Sequence, residues 1–296
     1  MHPLLFTFPL LLCTACDTQR HEPPAPPAQA QACRTIDGGT ALPGEVRETS
    51  GLAVSSDATV LWTHNDRGHD PVLYAVADNG GLHSTVVVTG TEPVDWEDIE
   101  AAPCASGRCL YIADIGDNDQ VRAHITIYEI TEPGLDDDRA GARAMRARYP
   151  DGARNAEAMF MLPGGDVYIV TKGDDSAPAL YRFPAHMRAR ENVVLERVRG
   201  PMAQPQQRRD YITGAAATPD GRWVAIRTYG ALHIYAAADL LSGTGRASIT
   251  VDLSPLGEPQ GEGVAIADDG TVWLSSEAEG GGAVPRLARL SCTLPD

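Results

Sequence analysis

Ser50, Glu97, Glu157, Thr213 and Glu262 occupy equivalent places in five segments of similar local pattern: 48–66, 95–118, 155–175, 211–230 and 260–279. Brought to one point, they would offer three carboxylates and two hydroxyls. Three ionised glutamates so placed repel one another, and must either take up protons or share a cation. Hard oxygen donors of this kind suit Ca2+. The set contains no His or Cys, which disfavours zinc and copper. In the competing reading these acids hold backbone amides or pair with arginines such as Arg47, Arg154 and Arg209.

The stretch Asp-Trp-Glu-Asp-Ile-Glu at 95–100 surrounds the second member of the set with further acids and two large apolar residues. A solvated acidic loop rarely carries Trp96 and Ile99, and a plain buried strand rarely carries so much charge. More chemistry-bearing residues fall just after the second strand of successive segments: His64, Asp66 and Arg67, then Asp114, Lys172, Arg227 and Glu277. Arg67, Lys172 and Arg227 are cations in an acidic chain and could grip an anion beside a metal. Asp66 or Asp114 would then position a water, an arrangement suited to phosphoanhydride or phosphoester cleavage. His64 is a possible base, though a lone loop histidine is more often a bystander. His69 and His83 read as surface.

The elements that would position these side chains are short apolar strands. Each segment gives a strand, a turn and a second strand opening near an aromatic: Trp62, Tyr111, Tyr168, Trp223 or Trp273. In four of the five a third strand follows with Tyr74, Tyr128, Tyr181 or Tyr235. Four strands per unit, repeated, is the signature of an all-β chain folded as a single β-propeller. The shared position recurs at intervals of 47, 60, 56 and 49 residues, which predicts five blades. Six is the alternative and needs a degenerate unit in one of the long intervals. The last unit lacks a strand, and the N-terminal run Cys-Arg-Thr-Ile-Asp from residue 33 is expected to supply it and close the ring. The innermost strand of every blade then runs beside the axis, so one position per blade can converge there.

Composition bounds the function. The net charge of −16 and pI near 4.8 disfavour nucleic-acid binding. Leu4 to Leu12 is an apolar run too short to span a bilayer and fits the core of a signal sequence. It leads into Leu-Cys-Thr-Ala-Cys, which resembles a bacterial lipoprotein signal with Cys16 as the acylated residue. Residues 17–32, rich in Pro, Ala and Gln, read as a tether, leaving 33–296 as the propeller. An exported, monomeric protein of the periplasm or cell envelope is expected, touching the membrane only through a lipid anchor; ordinary secretion with the signal removed is the alternative. Outside the signal, Cys33, Cys104, Cys109 and Cys292 allow three pairings. Cys104–Cys109 would close a hairpin and Cys33–Cys292 would staple the ring. Free thiols and a zinc site are the alternatives. The chain carries no Walker loop, no dinucleotide fingerprint, no nucleophile elbow and no His-Glu-x-x-His.

The column Ser50, Glu97, Glu157, Thr213, Glu262 resembles the central calcium ring of the soluble calcium-activated nucleotidases (apyrases), five-bladed propellers with Ser, Glu, Glu, Ser, Glu in that order. Asn-Asp-Arg-Gly at 65–68, Leu-Tyr-Ile-Ala-Asp-Ile-Gly-Asp-Asn at 110–118 and Gln-Gly-Glu-Gly-Val-Ala-Ile at 260–266 add to the likeness. The chain is also similar to uncharacterised exported bacterial propellers, and more loosely to phytase-like and lactonase propellers. The resemblance implies the fold, a Ca2+ ion and a calcium-dependent phosphohydrolase acting on an anionic small molecule. A non-catalytic propeller that binds an extracytoplasmic protein, and a lactonase or esterase, are the competing readings.

Overall fold

The computed structural model describes residues 32–187, 193–199, 203–243, 245–278 and 283–295; the signal-like run, Cys16 and the tether up to Gln31 lie outside them. Five four-stranded antiparallel blades follow one another, each numbered here from its axial strand outwards. Blade 1 comprises Thr49–Val54, Leu61–Asn65, Val72–Val76 and Leu82–Thr89. Blade 2 comprises Trp96–Cys104, Gly107–Asp114, Ile125–Thr131 and Arg139–Arg148. Blade 3 uses Ala156–Met161, Val167–Thr171, Leu180–Phe183 and Glu196–Arg199. Blade 4 uses Ile212–Ala217, Trp223–Thr228, Ala231–Ala236 and Ile249–Asp252.

Blade 5 combines Gln260–Ile266, Thr271–Glu277 and Arg286–Cys292 with the N-terminal strand Cys33–Ala41 on its outer edge. The first and last strands pair antiparallel from Cys33 opposite Cys292 to Ala41 opposite Arg286. A Cys33–Cys292 disulfide joins the two ends, and Cys104–Cys109 closes the hairpin of blade 2. The ring therefore closes on five blades, and the described residues of the long intervals form no sixth. The charged run at 135–152 contributes the outer strand of blade 2. Its start pairs in parallel with Val87–Thr89 of blade 1, and its end with Val193–Val194.

Each blade packs both faces on its neighbours, so its middle strands are largely buried; Leu61–Asn65, Val167–Thr171 and Trp223–Thr228 are buried at every residue. The core accordingly divides into five clusters, one per blade interface. Each receives one of the second-strand aromatics: Trp62 between blades 1 and 2, Tyr111 between 2 and 3, Tyr168 between 3 and 4, Trp223 between 4 and 5, and Trp273 at the edge of the cluster between 5 and 1. A large ring at the same register fills the widening wedge between twisted sheets. Among the described residues no helix is long and apolar enough to cross a membrane.

At the axis the five inner strands pack on one another in sequence order and back to the first. Every one carries a register irregularity at the same place. The breaks lie between Thr49 and Leu52, Trp96 and Asp98, Ala156 and Ala158, Ile212 and Gly214, and Gly261 and Val264. Each contains one member of the column. A bulge removes a residue from the ladder and re-aims its side chain; here it does so in all five blades.

Candidate metal centre and its pocket

The five column residues are buried at these bulges. Two are fixed by a repeated contact. Ser50 Oγ donates to the carbonyl oxygen of Glu97 at 2.6 Å, and Thr213 Oγ1 donates to that of Glu262 at 3.2 Å. In both pairs the hydroxyl of one blade spends its hydrogen on the column residue of the next. Its lone pairs stay available as oxygen ligands.

The residue after the column member decides what fills the axis. Gly51, Gly214 and Gly263 stand there in blades 1, 4 and 5, and Ala158 in blade 3. A Cβ on Gly263 would lie 2.3 Å from the carbonyl oxygen of Ser50, so close approach of the strands requires glycine. In blade 2 the same place holds Asp98. Its Oδ1 accepts the Ile99 N–H at 2.9 Å; its Oδ2 accepts those of Met159 in blade 3 at 2.8 Å and Ala215 in blade 4 at 3.2 Å. Glu100 does likewise one step on, accepting from Ala101 at 3.0 Å and from Ala217 of blade 4 at 3.2 Å. The run 95–100 thus divides three ways. Trp96 and Ile99 enter the core between blades 1 and 2. Asp98 and Glu100 tie blades together through backbone amides. Asp95 and Glu97 face a different group.

Carboxylate oxygens of Asp66, Asp95 and Glu97 lie within 4.8 Å of one another and form the group of acids best placed to hold a metal ion among the described residues. The cluster is built by its surroundings. Asp114 accepts the N–H groups of Val94 and Asp95, both at 3.0 Å, and Arg122 Nη2 at 2.7 Å, so it pins the loop that presents Asp95. Gly116 leaves room for the acids: a Cβ there would fall 2.1 Å from Glu97 Oε1 and 2.6 Å from the Asp95 carboxyl carbon. No hydrogen bond reaches the carboxylate of Glu97 among the described residues, although Glu97 is only 7% exposed.

The other two glutamates of the column have partners of their own. Lys172 Nζ contacts Glu157 Oε1, while Glu157 Oε2 is buried without a hydrogen bond. Gln260 Nε2 donates to Glu262 at 2.7 Å and to Glu277 at 2.9 Å. The ring is therefore asymmetric: Glu157 meets an ammonium, Glu262 a neutral amide, and the carboxylate of Glu97 neither. Of the arginines named above as possible partners, Arg154 pairs with Asp151, Arg209 with Asp252, and Arg47 donates to the Gly44 carbonyl.

Three sequence-derived candidates are engaged in contacts of their own. Arg227 is wholly buried; its Nη1 donates to the carbonyls of Gly263 and Ser275, both at 2.8 Å, and its Nη2 meets Glu258. It bolts blade 4 to blade 5 and does not reach the mouth. Asp114 is a positioning residue with its oxygens already taken. Lys172 is committed to Glu157. His64 is also not a loop residue: it is buried against Trp96 with ring centroids 5.6 Å apart, and burial lowers its pKa.

A cavity of about 300 Å³ opens beside the cluster, lined by Asp66, Arg67, His69, Val94, Asp95 and Trp96 among others. Arg67 is the only lysine or arginine in its wall; it is largely exposed and 3.8 Å from Asp95. His69, read from the sequence as surface, has Nδ1 3.2 Å from the Asp66 carbonyl and 3.4 Å from a Glu48 carboxylate oxygen. With Nδ1–H donating to that carbonyl, Nε2 is the proton acceptor. The spacing Asp-x-x-His at 66–69 gave no hint of this, because the return of the loop over 66–70 is a matter of turn geometry.

Burial and mutual repulsion leave these acids short of positive charge. Burial, then Asp66, lifts Asp95 to about 6; burial lifts Glu157 to about 7 against the pull of Lys172; burial, then Asp66, lifts Glu277 to about 8. Glu97 and Glu262 are raised well above the usual range by burial and then by Glu157. Burial raises Glu100, on the opposite side of Asp98, to about 7 from an ordinary 4.5. A carboxyl raised in the folded state stabilises it fully below the unfolded pKa, and that contribution is lost as pH rises through the folded value. For Glu100 the window runs from 4.5 to about 7, a span worth about 3 kcal/mol. In the presence of a chelator, the urea midpoint is therefore expected to rise as pH is lowered from about 7.5 to about 5. A midpoint that falls over this range would mean that these carboxylates are ionised and paired.

No family model matches the chain, and no curated protein does. Solved structures do. The PQQ-bound aldose sugar dehydrogenase of Streptomyces coelicolor aligns with 91% of this chain and 100% of its own, at 15% identity and a TM-score of 0.51. A glucose dehydrogenase aligns over 86% and 99%, at 12% identity and 0.52. A gluconolactonase of Xanthomonas campestris aligns over 88% and 90%, at 10% identity and 0.48. The fold is a β-propeller. At these identities the two dehydrogenases share that fold with the chain and support nothing finer. The likeness to the nucleotidases rests on the column and its flanking motifs alone.

Proposed function

We propose that this protein is an exported, divalent-cation-dependent hydrolase of carbonyl substrates, with a lactone or carboxylic ester as the class its pocket fits. The observation that carries the reading is the convergence of Asp66, Asp95 and Glu97 beside a cavity whose wall holds one arginine and one oriented histidine. The donor set fits a hard cation. It is all oxygen, it includes a buried carboxylate without a hydrogen bond, and the hydrogens of Ser50 and Thr213 point away onto carbonyls. Asp66, Asp95 and Glu97 would hold Ca2+, with Ser50 the nearest column hydroxyl in sequence order. A bound cation supplies polarisation of a carbonyl oxygen and a more acidic water.

The chain's own residues supply the rest. Arg67 orients the polar end of the substrate. His69, held through Nδ1, accepts a proton from water at Nε2. Val94, 54% exposed, offers an apolar wall. A phosphate ester suits the site less well than the sequence suggested. Lys172 and Arg227 are committed elsewhere, so a multiply charged substrate would meet Asp66, Asp70 and Asp95 with Arg67 as the sole cation in the wall. A neutral carbonyl compound avoids that repulsion. The two disulfides are consistent with an oxidising compartment.

The test is hydrolysis of a panel of γ- and δ-lactones, aryl esters and nucleoside phosphates, followed with a pH indicator in calcium and then in chelator. Calcium-dependent opening of a lactone or ester is expected, with kcat down about 100-fold in His69→Gln and the effect of Arg67→Gln mainly on KM. Phosphate release without ester or lactone cleavage would overturn the substrate class. Silence across the panel in calcium-bound protein would make the propeller a binding module.

A further inference from the structure

Lys172 places an ammonium directly on a column residue, Glu157. It projects from the end of the second strand of blade 3, where its N–H donates to the Asn155 carbonyl at 3.1 Å and its carbonyl accepts from Ile212 at 3.0 Å. Both contacts tie the backbone of Lys172 to the entry of an axial strand, so its stem is aimed at the ring by fixed chain. The head group meets Glu157 and lies 5.8 Å from the centre of the Tyr229 ring. Arg208 covers the same ring at 4.6 Å. Lys172 is therefore held from several sides, with its side chain only 14% exposed.

We infer that Lys172 is a built-in counter-cation of the acidic ring, whose fixed charge on Glu157 opposes a divalent ion at the neighbouring Asp66, Asp95 and Glu97 cluster and lowers the affinity of that site. The inference rests on the metal reading above. Its physical basis is charge. A tethered ammonium on the same acidic ring repels an incoming divalent cation and neutralises part of the negative charge that would attract it. It also gives the ring a positive partner when no metal is bound, so the inner strands keep their packing without it. Glu157 Oε2, buried and without a hydrogen bond, is the place where this compensation is incomplete.

Calcium titration by calorimetry, with parallel thermal unfolding in calcium and in chelator, tests this on the purified protein and two variants. Lys172→Met removes the charge. Lys172→Gln removes the charge but keeps a donor for Glu157, and so guards against simple loss of folding. Both variants are expected to bind calcium at least tenfold more tightly than wild type. They are also expected to melt lower than wild type in chelator and to recover in calcium. Wild-type binding with unchanged or weaker affinity in Lys172→Gln would overturn the role of Lys172 and leave the metal site standing. Absence of calcium binding in all three proteins would overturn both.

Discussion

Asp98→Ala is expected to lower the thermal midpoint by about 10 °C, with a loss of about 4 kcal/mol. The carboxylate sits where three other blades carry glycine, and it accepts N–H groups from its own strand and from the axial strands of blades 3 and 4. Removing it leaves three buried donors without partners and an empty space on the axis. An unsatisfied buried N–H costs about 1–3 kcal/mol, and relaxation recovers part of the sum. Asp98→Asn should cost less, about 2 kcal/mol, because the amide oxygen can still serve one side while its NH₂ opposes a donor on the other. The raised pKa of Asp98, set mainly by burial and opposed by these amides, shows how little water reaches it. Thermal and urea unfolding of both variants would check the order. A midpoint within about 2 °C of wild type for Asp98→Ala would mean that the blades do not depend on this tie.

Loss of the Cys33–Cys292 bridge, in a Cys33→Ser/Cys292→Ser variant, is expected to cost about 5 kcal/mol. The two cysteines are 259 residues apart in sequence, so the bond restricts nearly the whole unfolded chain. The Cys104–Cys109 bridge spans only 5 positions; the same chain-entropy reasoning gives it about 2 kcal/mol. The ring-closing bridge also holds the one pairing in which the two ends of the chain must find each other, Cys33–Ala41 on Arg286–Cys292. Denaturant unfolding of the two double-serine variants separates the effects. Equal losses would mean that strand pairing alone keeps the propeller shut.

Much of the architecture was legible because propeller blades repeat. A column at intervals near 50 residues, an aromatic opening each second strand, and cysteines at both ends of the domain led to five blades closed by the N-terminal strand. Each of these is a property of one chain position in a repeated unit. Side-chain partners across blades are not. Nothing near Arg227 in sequence announces that its guanidinium is used by the Gly263 and Ser275 carbonyls, because those lie in the next blade. Asp114 looked like a mouth acid, yet its oxygens are filled by the loop it holds. Lys172 looked like an anion clamp and instead meets Glu157. Asp95 was visible in its acidic run but not assigned to the metal set. Its place beside Glu97 depends on the bulge at 96–98 and on the space above Gly116.

The proposed chemistry depends on Asp66, Asp95 and Glu97 forming one divalent-cation site. Calorimetric titration of calcium into metal-free protein tests it most directly, with Gly116→Ala as the comparison. The added methyl would fall against Glu97 and Asp95 and push the flexible ends of both side chains aside, which leaves the blades intact and breaks the cluster. One calcium is expected to bind per wild-type chain, with at least a tenfold loss of affinity in Gly116→Ala and a thermal midpoint in chelator close to wild type. Equal calcium binding in the two proteins would contradict it, as would no binding in either.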